Sequence, residues 1–317
     1  MKIGVIGTGA VGGFYGGMLA KAGNDVHFLL NSDYEYVREN GLTIDSNIFG
    51  KIALSKVNAY SDPKDMPVCD VVMVCLKTLQ NKKLLPSLLP PLLKKETIVV
   101  MVQNGFGVEA ELAALMPGVS IAGALAFIAS NKTGKGYIRH IGQGHIDIGS
   151  YNVENLPLLA AFVDILNSAG VKTRYFDDLM LIRWKKLVWN IAFNGTTVVM
   201  NATTDRLLKC PQTRQLVKDL MLEVIRAANA CGKQLNERLA EDQILLTDTF
   251  PPYKPSMMLD YENRRPMEIE YIYDNPVKEA AKYGFEMKKT QVIAAQLHFL
   301  QSMNDKGKSS DLSPSEN

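Results

Sequence analysis

The sequence predicts an α/β protein in which an N-terminal Rossmann-type doubly wound sheet is followed by a C-terminal all-α domain. A buried strand runs directly into a glycine-rich turn at the N-terminus, and short apolar strands alternate with helices through the first half. The second half instead carries apolar residues at helical spacing. We place the sheet domain at residues 1–155, the helical domain at 156–303 and a polar, disordered tail at 304–317.

Length, composition and charge restrict the class of protein. The 317 residues suffice for two domains, and 47% apolar with 21% charged residues is typical of a globular chain. A net charge of +2 predicts no nucleic-acid partner. No apolar run approaches the roughly 18 residues that span a bilayer, and glycines at positions 4, 7 and 9 interrupt any signal peptide. We therefore expect a cytoplasmic protein without a membrane partner, and the apolar second half is compatible with a homodimer.

The cysteines and histidines form no metal-binding pattern. The four cysteines lack CxxC spacing, and the four histidines lack HxH or HExxH spacing. We expect reduced thiols and no metal site.

The N-terminal segment has the order strand, G-x-G-x-x-G, helix, strand within about 30 residues, which a dinucleotide-binding turn requires. In this interpretation Gly7 permits the tight turn and Gly9 lets a pyrophosphate approach the backbone. Gly12 allows the helix to pack closely on the strand, and the free N–H groups at the helix N-terminus face the phosphates. The predicted cofactor-binding residues of this turn are Gly7, Thr8, Gly9, Ala10, Val11 and Gly12.

The end of the second strand normally reports which cofactor is preferred. An acidic residue there binds the ribose 2′-hydroxyl of NAD, whereas an arginine receives the 2′-phosphate of NADP. Asn31 fits this position best and is neither signal. Asp33 comes one or two residues late and could instead cap a helix that begins at Tyr34. These residues alone leave the choice of cofactor open.

Two further strands end in polar residues. Lys77 follows a buried strand over 70–76, and Asn104 follows another over 97–102. Ligands of an open parallel sheet lie outside the carboxyl ends of its strands, so both residues are candidates to contact cofactor or substrate. The alternatives are a solvated loop lysine and ordinary Asn-Gly turn chemistry. Residues 120–149 alternate apolar and polar around glycines, which predicts antiparallel strands that complete the sheet.

The second half is predicted to be helical apart from one short strand at 171–175. Pro276 is expected to kink the helix in which it lies. The predicted helices cover residues 158–169, 178 onward, 213–230, 237–247, 268–283 and 290–303.

Lys186, Asn190 and Asn194 are spaced four apart in an otherwise apolar helix, so they share one face. Lys185 points about 100° away and is expected to be solvated. A buried ammonium and two buried amides are costly without a partner, and a polar ligand would supply one. Either asparagine alone would more often be a helix-interior amide with a local bond. Three polar residues in register instead indicate a candidate active-site wall.

With these residues identified, the chain resembles the ketopantoate reductase (2-dehydropantoate 2-reductase) family, within the 6-phosphogluconate dehydrogenase-like group of two-domain dehydrogenases. The resemblance spans positions 7–268, and the combination of motifs is more specific than any single one. The motifs that carry it are Gly7-Thr8-Gly9-Ala10-Val11-Gly12-Gly13, Lys77-Thr78, Gln103-Asn104-Gly105, Lys186-x-x-x-Asn190-x-x-x-Asn194, and Ser256-Met257-Met258 with Glu268 twelve residues later.

The resemblance implies roles for these residues. Lys186 would be the general acid that protonates the ketone oxygen as hydride reaches C2, and Glu268 would help to bind substrate and hold this lysine. Asn104 would lie by the nicotinamide and the reacting centre, and Lys77 by the cofactor. The residues implied to bind the substrate's hydroxyl and carboxylate are Asn190, Asn194 and Ser256.

The activity that the resemblance implies is NADPH-dependent reduction of 2-dehydropantoate to (R)-pantoate, a step toward pantothenate and coenzyme A. One departure concerns the cofactor, because family members commonly carry an arginine where this chain has Asn31. Arg38 would compensate if the loop folds back. NADPH is the predicted cofactor, and use of NADH stays open.

Two other functions are considered. The first is reduction of another branched or bulky 2-keto acid, which the stripe on the helix does not exclude. The second is a dinucleotide-sensing protein without catalysis. The presence of Lys186 together with Glu268 argues against a sensor, because a sensor needs neither an acid nor its partner.

Overall fold

The computed structural model describes the backbone of residues 1–310 and the side chains of residues 1–305. The chain divides into two compact units after Leu179. The predicted boundary lay at residue 155, and residues 156–179 account for the difference. They carry a helix whose Leu159 and Phe162 belong to the same core as the sheet, and a strand that pairs with that sheet. These long-range contacts assign the segment to the first unit.

The first unit is built on one ten-stranded mixed sheet. In chain order its strands are β1 (Lys2–Ile6), β2 (Asp25–Leu29), β3 (Leu42–Ser46), β4 (Gly50–Leu54), β5 (Asn58–Tyr60), β6 (Val71–Val74), β7 (Ile98–Met101), β8 (Ser120–Gly134), β9 (Tyr137–Ser150) and β10 (Thr173–Phe176). The helices of this unit are α1 (Ala10–Lys21), α2 (Tyr34–Asn40), α3 (Asn81–Leu88), α4 (Val108–Leu115) and α5 (Leu156–Ser168).

Six neighbouring parallel strands extend from one edge of the sheet in the order β5-β2-β1-β6-β7-β8. Numbered by chain position, this is the 3-2-1-4-5-6 order of a Rossmann fold. The order reverses between β1 and β6, and ligands of such sheets bind at the carboxyl ends of the strands at that point. The predicted Rossmann-type sheet is therefore confirmed.

The antiparallel pair predicted within residues 120–149 is confirmed as β8 and β9. Beyond it, β3 pairs in parallel with the first part of β9 and β10 with the last part, while β4 pairs with β3. No strand or helix was predicted for residues 41–69, which contain β3, β4 and β5. Two of these strands find their partners more than 30 residues away, so their pairing has no local signal.

Helix α1 is packed through its glycines. A Cβ at Gly13 would lie 2.8 Å from Ile138, one at Gly16 2.5 Å from Phe28, and one at Gly17 2.6 Å from Ile44. These distances are shorter than ordinary van der Waals contact, so only glycine lets α1 approach the surrounding strands so closely. The glycine face fixes the position of the turn that precedes α1.

The second unit is all-α, as predicted, in the part of the chain that the structure describes. Short helices at 204–209 and 256–262 were not predicted, because segments of six or seven residues next to proline carry little periodic signal. The helices that follow α5 are α6 (Leu179–Met200), α7 (Thr204–Lys209), α8 (Pro211–Ala230), α9 (Arg238–Asp248), α10 (Ser256–Glu262), α11 (Asn275–Lys282) and α12 (Lys288–Ser310).

The predicted helix over 268–283 has two parts. A π-helical turn spans Glu270–Asp274 and passes directly into α11, with Pro276 in the first turn of α11. Proline has no N–H to donate, and a wider turn before it removes the need for one. The irregularity therefore precedes Pro276 and takes the form of a π turn.

The C-terminal helix is longer than predicted. Residues 304–310 continue α12, so they are not the disordered tail that was expected. The side chain of Gln301 donates to Asp305 at 3.0 Å, an i,i+4 bond that supports the extension. The rest of the predicted tail, 311–317, lies outside the described residues. Of the helices within residues 1–310, none combines the length and apolar character that crossing a bilayer requires.

Candidate active site

The glycine turn between β1 and α1 has the geometry that was expected of it. Gly7 has φ +92°, and a Cβ there would lie 2.9 Å from the backbone nitrogen of Leu76. A Cβ at Gly12 would overlap the carbonyl oxygen of Gly7. Gly9 differs, because no heavy atom lies within 4 Å of the position of its missing Cβ. Two glycines thus shape the turn, and the third leaves open space against the backbone.

The open space at Gly9 adjoins the N-terminus of α1. No side chain caps this helix, and its first backbone bond runs from the Gly13 N–H to the Gly9 carbonyl at 2.8 Å. The N–H groups of the first turn, from Ala10 on, are therefore directed out of the helix, where an anion is stabilised. These features fit the pyrophosphate of a dinucleotide. The Thr8 hydroxyl donates to the Leu29 carbonyl at 3.2 Å and ties the turn to the end of β2.

The segment after β2 has two exposed residues and one buried one. Asn31 and Ser32 are exposed, whereas Asp33 is buried and accepts from the Gly136 N–H at 3.0 Å and from the Lys132 ammonium at 2.6 Å. Burial raises the pKa of Asp33, but these bonds outweigh it and the net pKa lies below its ordinary value. Asp33 occupies the position before α2, but its side chain does not cap that helix.

Arg38 does not fold back toward the end of β2. Its guanidinium lies 2.7 Å from the carboxylate of Glu35, and it stacks over the ring of Tyr34 at 5.4 Å from the ring centre. The suggested compensation for Asn31 by Arg38 therefore has no counterpart in the structure. Lys132 is instead the cation that an ion pair places beside this segment.

The ends of β6 and β7 are held together by a pair of amides. The Asn81 side chain donates to Gln103 at 3.0 Å, and the Gln103 side chain donates back to Asn81 at 2.8 Å and to the Leu76 carbonyl at 2.8 Å. This pair fixes the loop carrying exposed Lys77 against the loop carrying half-buried Asn104. Both of these residues therefore lie at the carboxyl edge of the sheet, as predicted.

The Asn81–Gln103 pair was not predicted from the sequence. Gln103 lies in the motif Gln103-Asn104-Gly105, but no spacing rule links it to Asn81, 22 positions earlier.

In the second unit, Lys186, Asn190 and Asn194 all lie in α6, which confirms that they share one helix face. They span about 12 Å along the axis. Asn190 is 6% exposed and Asn194 3%, whereas Lys186 is half-buried. Lys185 is exposed, as predicted. The face therefore places two buried amides next to a lysine that reaches solvent.

Asn194 is oriented by α10. Its side-chain oxygen accepts a long hydrogen bond, 3.4 Å, from the backbone N–H of Met257 in the first turn of that helix. Because the oxygen is held by this donor, the amide NH₂ is the group left to donate elsewhere. Ser256 begins α10 next to this contact and is half-buried. The structure thus brings Asn194 and the segment of Ser256 together.

Asn190 and Glu268 are buried polar residues in the same unit. Asn190 is 6% exposed, and its amide is not one of the fully enclosed, unpaired polar groups among residues 1–305. Glu268 is 5% exposed and immediately precedes the helical turn that begins at Ile269. Its carbonyl accepts from the Ile272 N–H at 3.1 Å, so its backbone position is set by the start of that turn.

Residues 1–305 contain no disulfide and no cluster of potential metal ligands. The four cysteines are free thiols, and no three of the described His, Cys, Asp or Glu side chains cluster as metal ligands would.

Comparison with known proteins covers both units. The family model described as ketopantoate reductase PanE/ApbA matches residues 3–153, and the model for the C-terminal region of the same family matches residues 178–301. A 2-dehydropantoate 2-reductase from Nostoc sp. is 45% identical over 311 residues, which are 96% of this chain and 97% of that protein.

Two solved structures show the same fold. The crystal structure of 2-dehydropantoate 2-reductase from Geobacter metallireducens has a TM-score of 0.90 and 36% identity, covering 94% of this chain and 99% of the other. A ternary structure of D-mandelate dehydrogenase with NADH and anilino(oxo)acetate has a TM-score of 0.83, covering 96% of this chain and all of the other. Its identity is 22%, so this second likeness concerns the fold alone.

Proposed function

The chain belongs to the ketopantoate reductase PanE/ApbA family, and on this basis we propose that it reduces 2-dehydropantoate to (R)-pantoate with NADPH. In this reaction the keto carbon takes a hydride from the reduced nicotinamide, which is thereby oxidised, and the keto oxygen takes one proton, so that the keto group becomes a secondary alcohol. The observation that carries the proposal is the α6 face, where Lys186, Asn190 and Asn194 stand in register on a buried helix.

Lys186 is the proposed general acid. When bound, the cofactor supplies the hydride for C2 of the keto acid. Negative charge then grows on the carbonyl oxygen, and a positioned ammonium both stabilises that charge and donates the proton. Lys186 is half-buried, so its ammonium can be partly desolvated and can also regain a proton from solvent after turnover. Glu268, buried in the same unit, is proposed to help bind substrate and hold Lys186.

The two asparagines are proposed to anchor the substrate. The NH₂ group of Asn194 is directed away from its Met257 contact, which leaves a donor for a carboxylate or hydroxyl oxygen. The Asn190 amide lies on the same face of α6, and a bound polar ligand would offer it hydrogen-bond partners. Ser256 adds a hydroxyl at the start of α10. A keto acid with a hydroxyl group offers partners for all three.

The cofactor is proposed to bind along the edge formed by residues 7–12, Lys77 and Asn104. Open space at Gly9 and the outward N–H groups of α1 support this part of the proposal. NADPH is chosen over NADH because Lys132 supplies a cation beside exposed Asn31 and Ser32, where an arginine is missing. An ammonium has three donors, so Lys132 can bond a phosphate while it keeps Asp33.

The test is an absorbance assay at the nicotinamide band with purified protein, 2-dehydropantoate and each cofactor. We expect turnover with NADPH and a higher kcat/KM than with NADH. Loss of turnover with 2-dehydropantoate but turnover with a bulkier 2-keto acid such as phenylglyoxylate would favour the alternative substrate. Cofactor binding without turnover on either acid would favour the sensor. A kcat/KM strongly favouring NADH would refute the choice of NADPH.

The role of Lys132 has its own control. Lys132→Met should weaken binding of 2′,5′-ADP, which carries the 2′-phosphate, more than binding of 5′-AMP, which does not. Lys135→Met, which removes an exposed lysine three residues further along the same hairpin, should change neither. Equal effects of Lys132→Met on both nucleotides would remove Lys132 from the phosphate site.

A homodimer and a cytoplasmic location stay predictions.

A further inference from the structure

The hydroxyl of Tyr273 bonds to two backbone groups of α6. The Gly195 N–H donates to the Tyr273 oxygen at 2.5 Å, and the Tyr273 hydroxyl donates to the Ile191 carbonyl at 2.9 Å. Gly195 and Ile191 are four residues apart, so this N–H and this carbonyl are the donor and acceptor of one pair in a regular helix. The tyrosine oxygen therefore bridges the donor and the acceptor of one helical pair.

The bridged pair is adjacent to both asparagines of the proposed substrate site. Ile191 follows Asn190, and Gly195 follows Asn194. A group inserted into the ladder lengthens the helix locally and bends it. The insertion thus lies between the end of the face that carries Lys186 and the end that carries Asn194.

Two threonines act on the same stretch of helix. The Thr196 hydroxyl donates to the Ala192 carbonyl, and the Thr197 hydroxyl donates to the Phe193 carbonyl at 2.8 Å. Such back-bonding from threonine also bends helices and weakens the ladder slightly. Carbonyls 191, 192 and 193 therefore all accept from side-chain hydroxyls.

Stability alone does not explain the hydroxyl of Tyr273. The side chain is fully buried, and a phenylalanine would fill nearly the same volume. Without the hydroxyl the Gly195 N–H could bond to the Ile191 carbonyl itself, so the insertion adds few net hydrogen bonds while it buries a polar group. A Cβ at position 195 would overlap the Tyr273 oxygen, so glycine is needed for the contact. The local shape of α6 is therefore the property on which the hydroxyl can act.

Tyr273 also lies close in sequence to Glu268. It lies in the π-helical turn Glu270–Asp274, and Glu268 stands directly before the helical segment that contains this turn. π turns are rare and are frequently found at functional sites. The contact with α6 therefore fixes where the chain segment after Glu268 lies along the helix.

We propose that Tyr273 is a positioning residue for the reaction: its hydroxyl holds α6 open at the Ile191–Gly195 pair and thereby sets the spacing of Lys186 and Asn190 relative to Asn194. The proposal rests on the proposed function for its catalytic consequence. Its structural half, the local opening of α6, is independent of the substrate.

The test is Tyr273→Phe, which keeps the ring and removes only the inserted oxygen. We expect the ladder to close and kcat/KM for 2-dehydropantoate to fall about 10- to 100-fold, as small misplacements of reacting groups do. The fall should appear in both kcat and KM, while the melting temperature and the Kd for the cofactor stay near the wild-type values. The control is Tyr15→Phe, another buried tyrosine whose hydroxyl donates to a backbone carbonyl, that of His145 at 3.3 Å.

A second variant tests the same contact from the other side. Gly195→Ala should displace the Tyr273 hydroxyl and lower activity, and in the Tyr273→Phe background the same alanine should cost less, so the two effects should not add. Additive effects, or a kcat/KM for Tyr273→Phe within two-fold of wild type, would overturn the proposal.

A measurement on the wild-type and Tyr273→Phe proteins separates this proposal from the proposed function. In crystal structures of the two proteins, the distance from the Gly195 nitrogen to the Ile191 oxygen should be shorter in Tyr273→Phe, because the helical bond then forms directly, whatever the substrate is. No turnover by the wild-type protein would refute the proposed function while leaving this readout intact. An unchanged distance would refute the opening of α6 itself.

Discussion

The glycine turn before α1 and the polar face of α6 are two sites built in opposite ways. At the turn, the proposed binding groups are backbone N–H groups, and the side chains contribute mainly by being absent: a Cβ at Gly12 would overlap the Gly7 carbonyl. On α6, the proposed binding groups are the side chains of Lys186, Asn190 and Asn194. The first site is complete once the backbone adopts its path, whereas the second needs other helices to orient its side chains.

This difference predicts how each site responds to substitution. A site made from backbone should fail when bulk enters it and should be insensitive to side-chain chemistry. A site made from side chains should fail when one functional group is lost, with little change in fold. The following experiments test that contrast.

The largest effect is expected for Lys186→Ala on α6. Loss of the acid should lower kcat about 1,000-fold, because general acid catalysis contributes typically 10²–10⁴-fold. The Kd for the cofactor should stay unchanged, since the turn before α1 keeps its backbone. Single-turnover kinetics with cofactor titration measures both quantities.

Lys185→Ala is the matched control for that experiment. It removes an exposed lysine from the neighbouring position of the same helix. Its kcat should stay within two-fold of wild type. Comparable losses for both variants would mean that net charge, and not the α6 face, governs turnover.

At the turn, Gly9→Val should raise the Kd for the cofactor about 100-fold without a loss of fold. Its side chain would occupy the space that no heavy atom fills, where the pyrophosphate is expected. Isothermal calorimetry with the cofactor, together with the melting temperature, tests this prediction. Gly12→Ala should instead lower the melting temperature as well, because its Cβ meets the Gly7 carbonyl.

Gly142→Ala serves as the control for the turn. Gly142 also has open space around its missing Cβ but lies on β9, outside the 7–12 segment. If its Kd for the cofactor rose as much as that of Gly9→Val, the open space at Gly9 would carry no special meaning.

The two asparagines should separate binding from stability. Asn194→Ala should raise KM for the keto acid about ten-fold and also cost about 1 kcal/mol of stability, because it removes the oxygen that accepts from the Met257 N–H in α10. Asn190→Ala should raise KM by a similar factor with a smaller loss of stability, since it leaves the bond between Asn194 and the Met257 N–H in place. Urea denaturation and steady-state kinetics on both variants measure the contrast, and equal losses of stability would contradict it.

The last expected effect is a pH dependence of the free energy of unfolding, which arises at His140 in the first unit. The Ser46 oxygen accepts from two backbone N–H groups, so its proton goes to His140 Nδ1 at 2.8 Å, and His140 Nε2 donates to the Gly142 carbonyl at 3.1 Å. Burial lowers the pKa of His140, an effect that the bonds to backbone carbonyls only partly oppose.

The sign of the effect follows from this lowered pKa. Below about pH 6.5 the unfolded chain takes up a proton at His140 before the folded chain does, so the free energy of unfolding falls by up to about 1.4 kcal/mol per pH unit. Urea midpoints at pH 7.5 and 5.5 should differ, and His140→Gln should reduce the difference. An unchanged difference in that variant would place the pH dependence elsewhere.

Much of both sites could be predicted from the sequence because their patterns are local. The glycine turn lies between two strands within 30 residues, and the α6 stripe repeats every four residues, so one turn type and one helical period suffice to identify them. The same rules identified β8 and β9 from their alternation. They also placed Lys77 and Asn104 at strand ends, because an apolar strand that runs into polar residues marks its own end.

Tertiary structure decided the features that join residues far apart in the chain. Asp33 was a candidate cap for α2. Its carboxylate instead accepts from Lys132 and from the Gly136 N–H, about 100 residues later in the chain. Met257 orients Asn194 across 63 positions, and Tyr273 reaches Gly195 across 78. A repeat in sequence reports which face of an element is buried. Which group meets that face depends on how the elements pack, and packing is a property of the whole chain.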